Sequence, residues 1–279
     1  MSSQNYTQHS LSHRIQFLVK HPQFVWFIGH TVLLLFSIRY LLSYITFSSV
    51  HHLFCYRTAF MGAILTYGIV VYKTYARISS QGKIDFSILM RIWMDENVQY
   101  LFLAIMWFVS RPIAVSLIPY TIFSLFHFLT YFRSNILPTL NPNALKSDEK
   151  SLEASVCRHI QHLVKIYYES AMKLVSKVEV ILIGTRVLIG AFAFQNSFTI
   201  LMFYAFFIRY RYFTSTYTRQ TFLYITIHID HLIADSRVPA SVRSIWMTVK
   251  RLLRDYAAKP IINNSSQVFN GKEAFNKQQ

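Results

Sequence analysis

Residues 24–47 read FVWFIGHTVLLLFSIRYLLSYITF, and this stretch decides the class of fold. It contains one histidine, His30, and one charged residue, Arg39. Twenty-four residues in an α-helix reach about 36 Å, whereas the hydrocarbon core of a bilayer is about 30 Å thick. A run this long and this apolar predicts a helix that crosses a membrane. Because no small-residue cleavage site follows it, we expect the helix to be retained as an anchor.

Three further apolar runs follow along the chain. Residues 53–72 carry one charge, Arg57, and a tight connection of five residues separates them from the first run. Residues 98–132 and 178–208 are longer than one untilted span needs, since 35 helical residues would reach about 52 Å. We therefore predict about four membrane-embedded stretches.

Polar residues interrupt the two longest runs. Arg111 and Pro112 lie inside residues 98–132, and a proline removes a backbone donor and kinks or breaks a helix. Gln195-Asn196-Ser197 interrupts the last run. Each run is therefore either one tilted, kinked span or a shallow hairpin of two shorter pieces. We assign Arg111 and Pro112 a structural role, in setting the geometry of the third run.

Composition supports a membrane protein. Hydrophobic residues make up 53% of the chain and charged residues only 14%, against about 25% in soluble domains. The 28 Lys and Arg exceed the 12 Asp and Glu, so the net charge is +16. Because much of this charge flanks apolar runs, we expect it to meet anionic lipid headgroups and no nucleic acid. The predicted fold is all-α, a polytopic helical membrane protein with cytosolic amphipathic helices.

The distribution of Lys and Arg predicts the orientation of the chain. Arg14 and Lys20 precede the first run, and residues 209–259 contain nine Lys and Arg against three Asp. Both termini are therefore expected in the cytosol. The side of residues 133–177 stays open, because four full spans place it in the lumen and a hairpin third run keeps it in the cytosol. The predicted segments are a cytosolic N-terminal segment (1–23), a membrane domain (24–208, including the polar helical segment 133–177), a basic amphipathic-helix region (209–260) and a disordered tail (261–279).

Residues 239–259 have the pattern of an amphipathic helix, with Pro239 in the first turn and Pro260 as the stop. Its apolar residues recur at helical spacing and share one face: Val242, Ile245, Trp246, Val249, Leu253 and Tyr256. Its basic residues occupy the other sides: Arg243, Lys250, Arg251 and Arg254. This pattern is typical of a helix that lies in the membrane interface, so we predict that these ten residues bind membrane. The alternative is that the apolar face packs on the protein's own helices.

No motif predicts enzyme chemistry, a cofactor or a resident metal. Cys55 and Cys157 define neither a disulfide framework nor a zinc site, and no phosphate loop or nucleophile motif occurs. A transporter is disfavoured because no acidic residue lies near the middle of an apolar run to relay ions. Four residues resemble a metal-binding group, but without a cysteine pair this signal is weak: His228, Asp230, His231 and Asp235.

Several short motifs resemble one known family. The first group comprises Asp95-Glu96, Tyr100, Pro112, Ile118-Pro119, Phe123-Ser124-Leu125, His127 and Thr130-Tyr131. The second group comprises Arg211-Tyr212, Tyr217, Arg219, Phe222, Val238-Pro239 and Val242-Arg243. With these motifs, roughly residues 20–258 resemble the transmembrane protein 33 family, whose fungal members include pore-membrane protein 33. The resemblance implies residence in the endoplasmic reticulum and nuclear envelope, ties to nuclear pore complexes and reticulon-type proteins, and C-terminal amphipathic helices that bind membrane. It implies no catalytic residues.

We therefore expect a non-enzymatic protein that shapes or organises the membrane of the endoplasmic reticulum and nuclear envelope, with a role in nuclear pore complex organisation. The alternative is a scaffold that recruits soluble partners through its basic C-terminal region, and a transporter comes third. The expected partners are the lipid bilayer with its anionic headgroups and, among proteins, reticulon-type proteins, nuclear pore proteins or a nuclear transport receptor.

Overall fold

The computed structural model describes residues 10–46, 52–79, 86–144, 151–235 and 237–258. These residues form helices and turns without any β-strand, which confirms the predicted all-α class. They belong to two compact units, Met1–Tyr204 and Ala205–Gln279. The tail predicted to be disordered, residues 261–279, lies outside the described residues, as does the last residue of the first apolar run, Phe47.

The α-helices before residue 145 are α1 (Leu11–Lys20), α2 (Pro22–Ile45), α3 (His52–Ser79), α4 (Phe86–Trp93), α5 (Glu96–Val109), α6 (Leu117–Tyr131) and α7 (Leu137–Leu140). A 3-10 turn at Ala114–Ser116 precedes α6, and a π-helical turn at Phe132–Ile136 follows it. The later helices include a π-helical turn at Val178–Ile183. They are α8 (Leu152–Lys177), α9 (Gly184–Phe192), α10 (Phe198–Thr214), α11 (Thr216–Ile233) and α12 (Ala240–Ala258).

Within the described residues, three helical segments are long and apolar enough to cross a membrane: Pro22–Ser43, His52–Ala76 and Ala114–Leu140. Helix α5 is also apolar, but its 14 residues reach only about 21 Å. The prediction of a polytopic helical membrane protein is thus confirmed. The fourth apolar run, residues 178–208, contributes no single helix of spanning length.

Helices α2 and α3 pack at very close range where two glycines face each other. A methyl group on Gly62 would lie 2.7 Å from the carbonyl oxygen of Gly29 and 2.9 Å from the backbone nitrogen of Leu33. The two backbones therefore touch at this level, as small residues allow in membrane helix pairs. Nearer the connection between the helices, the rings of Tyr40 and Tyr56 lie 5.2 Å apart.

The third apolar run folds as two antiparallel helices. Helix α5 begins at Asp95, whose side chain accepts hydrogen bonds from the backbone N–H groups of Asn97 and Val98. The helix ends at Val109, and the chain returns as α6. The Tyr120 hydroxyl on α6 donates to the carbonyl oxygen of Tyr100 on α5 at 2.8 Å and so ties the hairpin together.

Tyr56 on α3 holds the turn of this hairpin. Its hydroxyl accepts a hydrogen bond from the backbone N–H of Ile113 at 3.2 Å and lies 3.1 Å from the Ser116 hydroxyl. Arg111 and Pro112 are exposed within the same turn. The guanidinium group of Arg111 is therefore not buried among the helices, and the turn depends on a tyrosine more than 50 residues earlier in the chain.

The fourth apolar run contains a helix, a turn and a second helix. The backbone N–H groups of Gln195 and Asn196 both donate to the carbonyl oxygen of Gly190, at 2.8 and 3.0 Å, where α9 ends. Phe194 takes a positive φ of 56° in this turn. The Tyr204 hydroxyl then donates to the carbonyl oxygen of Glu179 at 2.8 Å, which ties the start of α10 to the helix that precedes the turn.

Buried polar side chains join helices of the first unit to one another. The Glu179 side chain is 2% exposed, and its carboxylate accepts a hydrogen bond from the Tyr100 hydroxyl at 2.5 Å. His30 on α2 is also buried, with its Nδ1 atom 2.8 Å from the Ser124 hydroxyl on α6. Lipid offers a polar group no hydrogen-bond partner, so the pairing of these side chains favours this arrangement of helices.

Candidate membrane-binding site

Helices α11 and α12 form a helical hairpin within the second unit. The connection begins after Ile233, and Asp235 organises it by accepting a hydrogen bond from the backbone N–H of Arg237 at 3.0 Å. Pro239 precedes α12, and its carbonyl oxygen accepts from the backbone N–H of Val242 at 3.1 Å. A proline suits this place because the first turn of a helix has no internal acceptor for its N–H groups.

Asp230 on α11 holds two side chains of α12. The indole Nε1–H of Trp246 donates to Oδ1 of Asp230 at 2.7 Å, and the ammonium group of Lys250 contacts Oδ2 at 2.5 Å. Trp246 and Lys250 are four residues apart, so they lie on the same side of α12. Both are half-buried, and this side of α12 therefore faces α11.

These contacts lower the pKa of the Asp230 carboxyl below its ordinary value. The hydrogen bond from Lys250 is the largest cause, and the hydrogen bond from Trp246 is the next. A carboxyl whose pKa is lowered in the folded protein stabilises the fold when it is ionised. Its contribution is present above the ordinary carboxyl pKa of about 4 and is lost as the pH falls through the lower, folded-state value.

We predict that Asp230→Ala loosens α12 from α11. Hydrogen–deuterium exchange of the backbone amides of residues 240–258 should be faster in this variant at neutral pH, because Trp246 and Lys250 lose their acceptor. The matched control is Asp235→Ala, since Asp235 bonds only to its own connection among the contacts described above. Acidifying the unmodified protein through the pKa of Asp230 should also lower the protection of these amides, once the rates are corrected for the slower intrinsic exchange at low pH. Equal exchange in both variants would contradict the role of Asp230.

A different side of α12 carries an exposed apolar strip. We call Ile245, Val249 and Leu252 the apolar strip of α12; they recur at intervals of four and three residues and so share one side of the helix. Ile245 is 64% exposed and Leu252 is 62% exposed. At about 100° per residue, these two lie roughly 100–120° around the helix from Trp246. Large aliphatic side chains therefore point away from α11.

The ten predicted membrane-binding residues differ in their exposure and in whether they face α11. Val242, Ile245, Val249 and Leu253 are exposed, and so are Arg243, Arg251 and Arg254 on the remaining sides of α12. Trp246 and Lys250 face α11, and the side chain of Tyr256 lies outside the described residues. Leu252 was absent from the predicted set, although its distance of seven residues from Ile245 could have identified it. Asp230 had no such signal, because it belongs to another helix.

The other predicted site residues have different surroundings. Arg111 and Pro112 lie in the turn between α5 and α6, in the first unit. Asp230, which was weighed as a metal ligand, is engaged by Trp246 and Lys250. Among the residues that the structure describes, no group of three or more His, Cys, Asp or Glu could hold a metal ion.

The fold and this amphipathic hairpin define a class of protein, the polytopic helical membrane proteins. The chain belongs to the Transmembrane protein 33/Nucleoporin POM33 family, whose model matches residues 4–259. This match covers almost the whole chain, as do the similarities to individual relatives.

Three curated relatives cover most of their own length as well. Tetra-spanning protein 1 of Schizosaccharomyces pombe is 36% identical over 252 residues, 90% of each chain. Nucleoporin POM33 of Chaetomium thermophilum is 36% identical over 91% of this chain and 92% of its own. Pore membrane protein of 33 kDa of Saccharomyces cerevisiae is 30% identical over 88% and 86%, respectively. No solved structure matches the chain.

Proposed function

We propose that this chain is a non-enzymatic protein that shapes or organises the membrane of the endoplasmic reticulum and nuclear envelope, including the membrane at nuclear pores. The place in the cell rests on the family and on relatives whose names describe a nucleoporin and a pore membrane protein. The activity rests on one structural observation, the exposed apolar strip of α12 on a helix with three exposed arginines.

The apolar strip acts by entering the cytosolic leaflet. Burying one aliphatic side chain of this size is worth about 1.5–3 kcal/mol, so Ile245 and Leu252 together supply a substantial driving force. Arg243, Arg251 and Arg254 lie on the remaining sides of α12, and each adds about 1 kcal/mol near an anionic leaflet. A helix inserted to this shallow depth adds area to one leaflet only, and the bilayer relieves the imbalance by curving.

The orientation that we propose places both termini in the cytosol and makes the chain multi-pass. It is supported by the basic residues that flank the apolar runs, and the α12 helix then meets the cytosolic leaflet, which carries the anionic lipids. Partners beyond lipid, among them reticulon-type proteins, nuclear pore proteins and a nuclear transport receptor, are part of this proposal through the family resemblance.

We predict that the glycosylation sequons near both termini carry no glycan in cells, because the enzyme that adds it works in the lumen. The sequons begin at Asn5, Asn263 and Asn264. Endoglycosidase treatment should leave the electrophoretic mobility of the protein unchanged. A long hydrophilic insert placed in residues 48–51, with a sequon in its middle, well clear of both spans, should be glycosylated and serves as the positive control. A glycan found at any of the three native sites would refute the orientation.

The proposed activity is tested with the full chain reconstituted into vesicles that contain anionic lipid. Electron microscopy should show vesicles narrowed or drawn into tubules by the unmodified protein. The variant carrying Ile245→Asp and Leu252→Asp should leave them round. Met247→Asp is the matched control, because Met247 is exposed on α12 but lies outside the apolar strip. Loss of remodelling in both variants, or in neither, would argue against the proposal.

The second candidate is a scaffold that recruits soluble partners. The exposed arginines favour it, because Arg243, Arg251 and Arg254 on one helix could equally bind an acidic protein surface. A scaffold would not remodel protein-free vesicles and would need its partner to do so. Changing the three arginines to Gln would then abolish recruitment, whereas the changes at Ile245 and Leu252 would leave it intact.

A further inference from the structure

Helix α1 has a surface that the proposed function does not use. The helix ends at Lys20, and a single residue in an extended conformation, His21, separates it from α2. Helix α2 begins at Pro22, which is also the first residue of a candidate membrane span. The direction of the chain therefore changes at the very point where the span starts, and α1 is held at the end of the membrane helices.

One side of α1 packs on the protein. The helix contacts α2 and α7, and its half-buried residues Arg14 and Leu18 are four positions apart on the same side. A neighbouring side has no such cover among the described residues. It carries Leu11, Ile15 and Val19, at intervals of four residues, and we call these the N-terminal strip. They are 45%, 41% and 48% exposed, respectively.

We propose that α1 lies in the membrane interface, with the N-terminal strip in contact with the lipid acyl chains of a bilayer that carries anionic headgroups. Two observations choose lipid as the occupant. The strip is continuous along the chain with a membrane span, separated from it by His21 alone. The helix also ends at the exposed Lys20 and contains no acidic residue, which suits an anionic surface. This inference does not depend on α12, and its test is separate from that of the proposed function.

The inference is tested on the full chain in lipid nanodiscs that contain anionic lipid. An environment-sensitive fluorophore is attached to cysteine in the variant Ile15→Cys. The matched control is Gln16→Cys, an exposed position about 100° around the helix. Cys55 and Cys157 are buried, and the unmodified protein treated in the same way gives the signal to subtract. Val19→Cys repeats the measurement in case the change at Ile15 disturbs folding.

The fluorophore at Ile15 or Val19 should emit at shorter wavelength than at Gln16. A quencher attached to lipid chains should reduce its emission, while iodide in the water should act mainly on the label at Gln16. Equal access of iodide to the strip and to Gln16 would overturn the inference. Protection of the strip from both quenchers would overturn it as well, because the cover would then be protein.

Discussion

Replacing Gly62 by alanine should destabilise the first unit by about 1–3 kcal/mol, the usual cost of forcing extra atoms into a packed core. The added methyl group would lie 2.7 Å from the Gly29 carbonyl oxygen and 2.9 Å from the Leu33 nitrogen. Both atoms belong to the backbone of α2, so no side-chain rotation can make room. Helix α2 would have to move away from α3, and the aromatic contacts along their interface would loosen with it.

Gly68 provides the matched control on the same helix. A methyl group there would meet no atom within 4 Å, and alanine favours a helix over glycine by about 1 kcal/mol. Thermal unfolding of the purified protein can be followed through the reaction of Cys55 and Cys157, both buried, with a thiol-specific dye. Gly62→Ala should unfold at a lower temperature than Gly68→Ala. The same unfolding temperature for both would show that the two backbones are not in contact.

A second substitution should restore stability after Gly29→Ala but not after Gly62→Ala. A methyl group on Gly29 would lie 2.6 Å from the Cγ2 methyl of Thr66, at the end of a side chain. The Thr66 hydroxyl donates to the carbonyl oxygen of Ala63, and serine keeps that hydroxyl while it lacks the methyl group. Thr66→Ser should therefore recover part of the stability lost in Gly29→Ala, but it should recover none in Gly62→Ala.

The fold class followed from the sequence because it depends on local quantities. The length of residues 24–47 and their single charge, Arg39, predicted a spanning helix, and α2 covers Pro22–Ile45. The third run was different. Whether Pro112 kinks one helix or ends it depends on contacts such as the one from Tyr56 to Ile113, which are 57 residues apart. The hydrophobic pattern of a run does not reveal contacts with distant residues. Residues 98–132 were therefore compatible with one kinked helix and with a hairpin of two helices.

The candidate site shows the same division between local and distant information. The pattern of residues 239–259 predicted a helix, and α12 covers Ala240–Ala258. Which part of its apolar face remains exposed depends on Asp230, on another helix, because that carboxylate draws Trp246 toward α11. Tryptophan is a residue type that often anchors helices in the membrane interface, but Trp246 is half-buried against protein in this structure. Leu252 replaces it among the residues that carry the proposed insertion.

A peptide covering residues 239–259 should bind vesicles of anionic lipid and become helical as it binds. Trp246 is free of Asp230 in the peptide, so its emission should shift to shorter wavelength when lipid is added, in parallel with the gain in circular dichroism. Ile245→Asp together with Leu252→Asp removes about 3–6 kcal/mol of apolar burial. At 1.4 kcal/mol for each factor of ten, the affinity should fall at least about 100-fold.

The control peptides separate the contributions of the apolar and the charged residues. Met247→Asp adds one new charge outside the apolar strip, where the double change adds two within it, and should cost far less affinity than half the loss caused by the double change. Changing Arg243, Arg251 and Arg254 to Gln should weaken binding mainly at low salt, since ions already screen these charges at high salt. If the unmodified peptide gains no helicity and Trp246 does not shift at high lipid, α12 does not insert, and the scaffold becomes the better account of its exposed arginines.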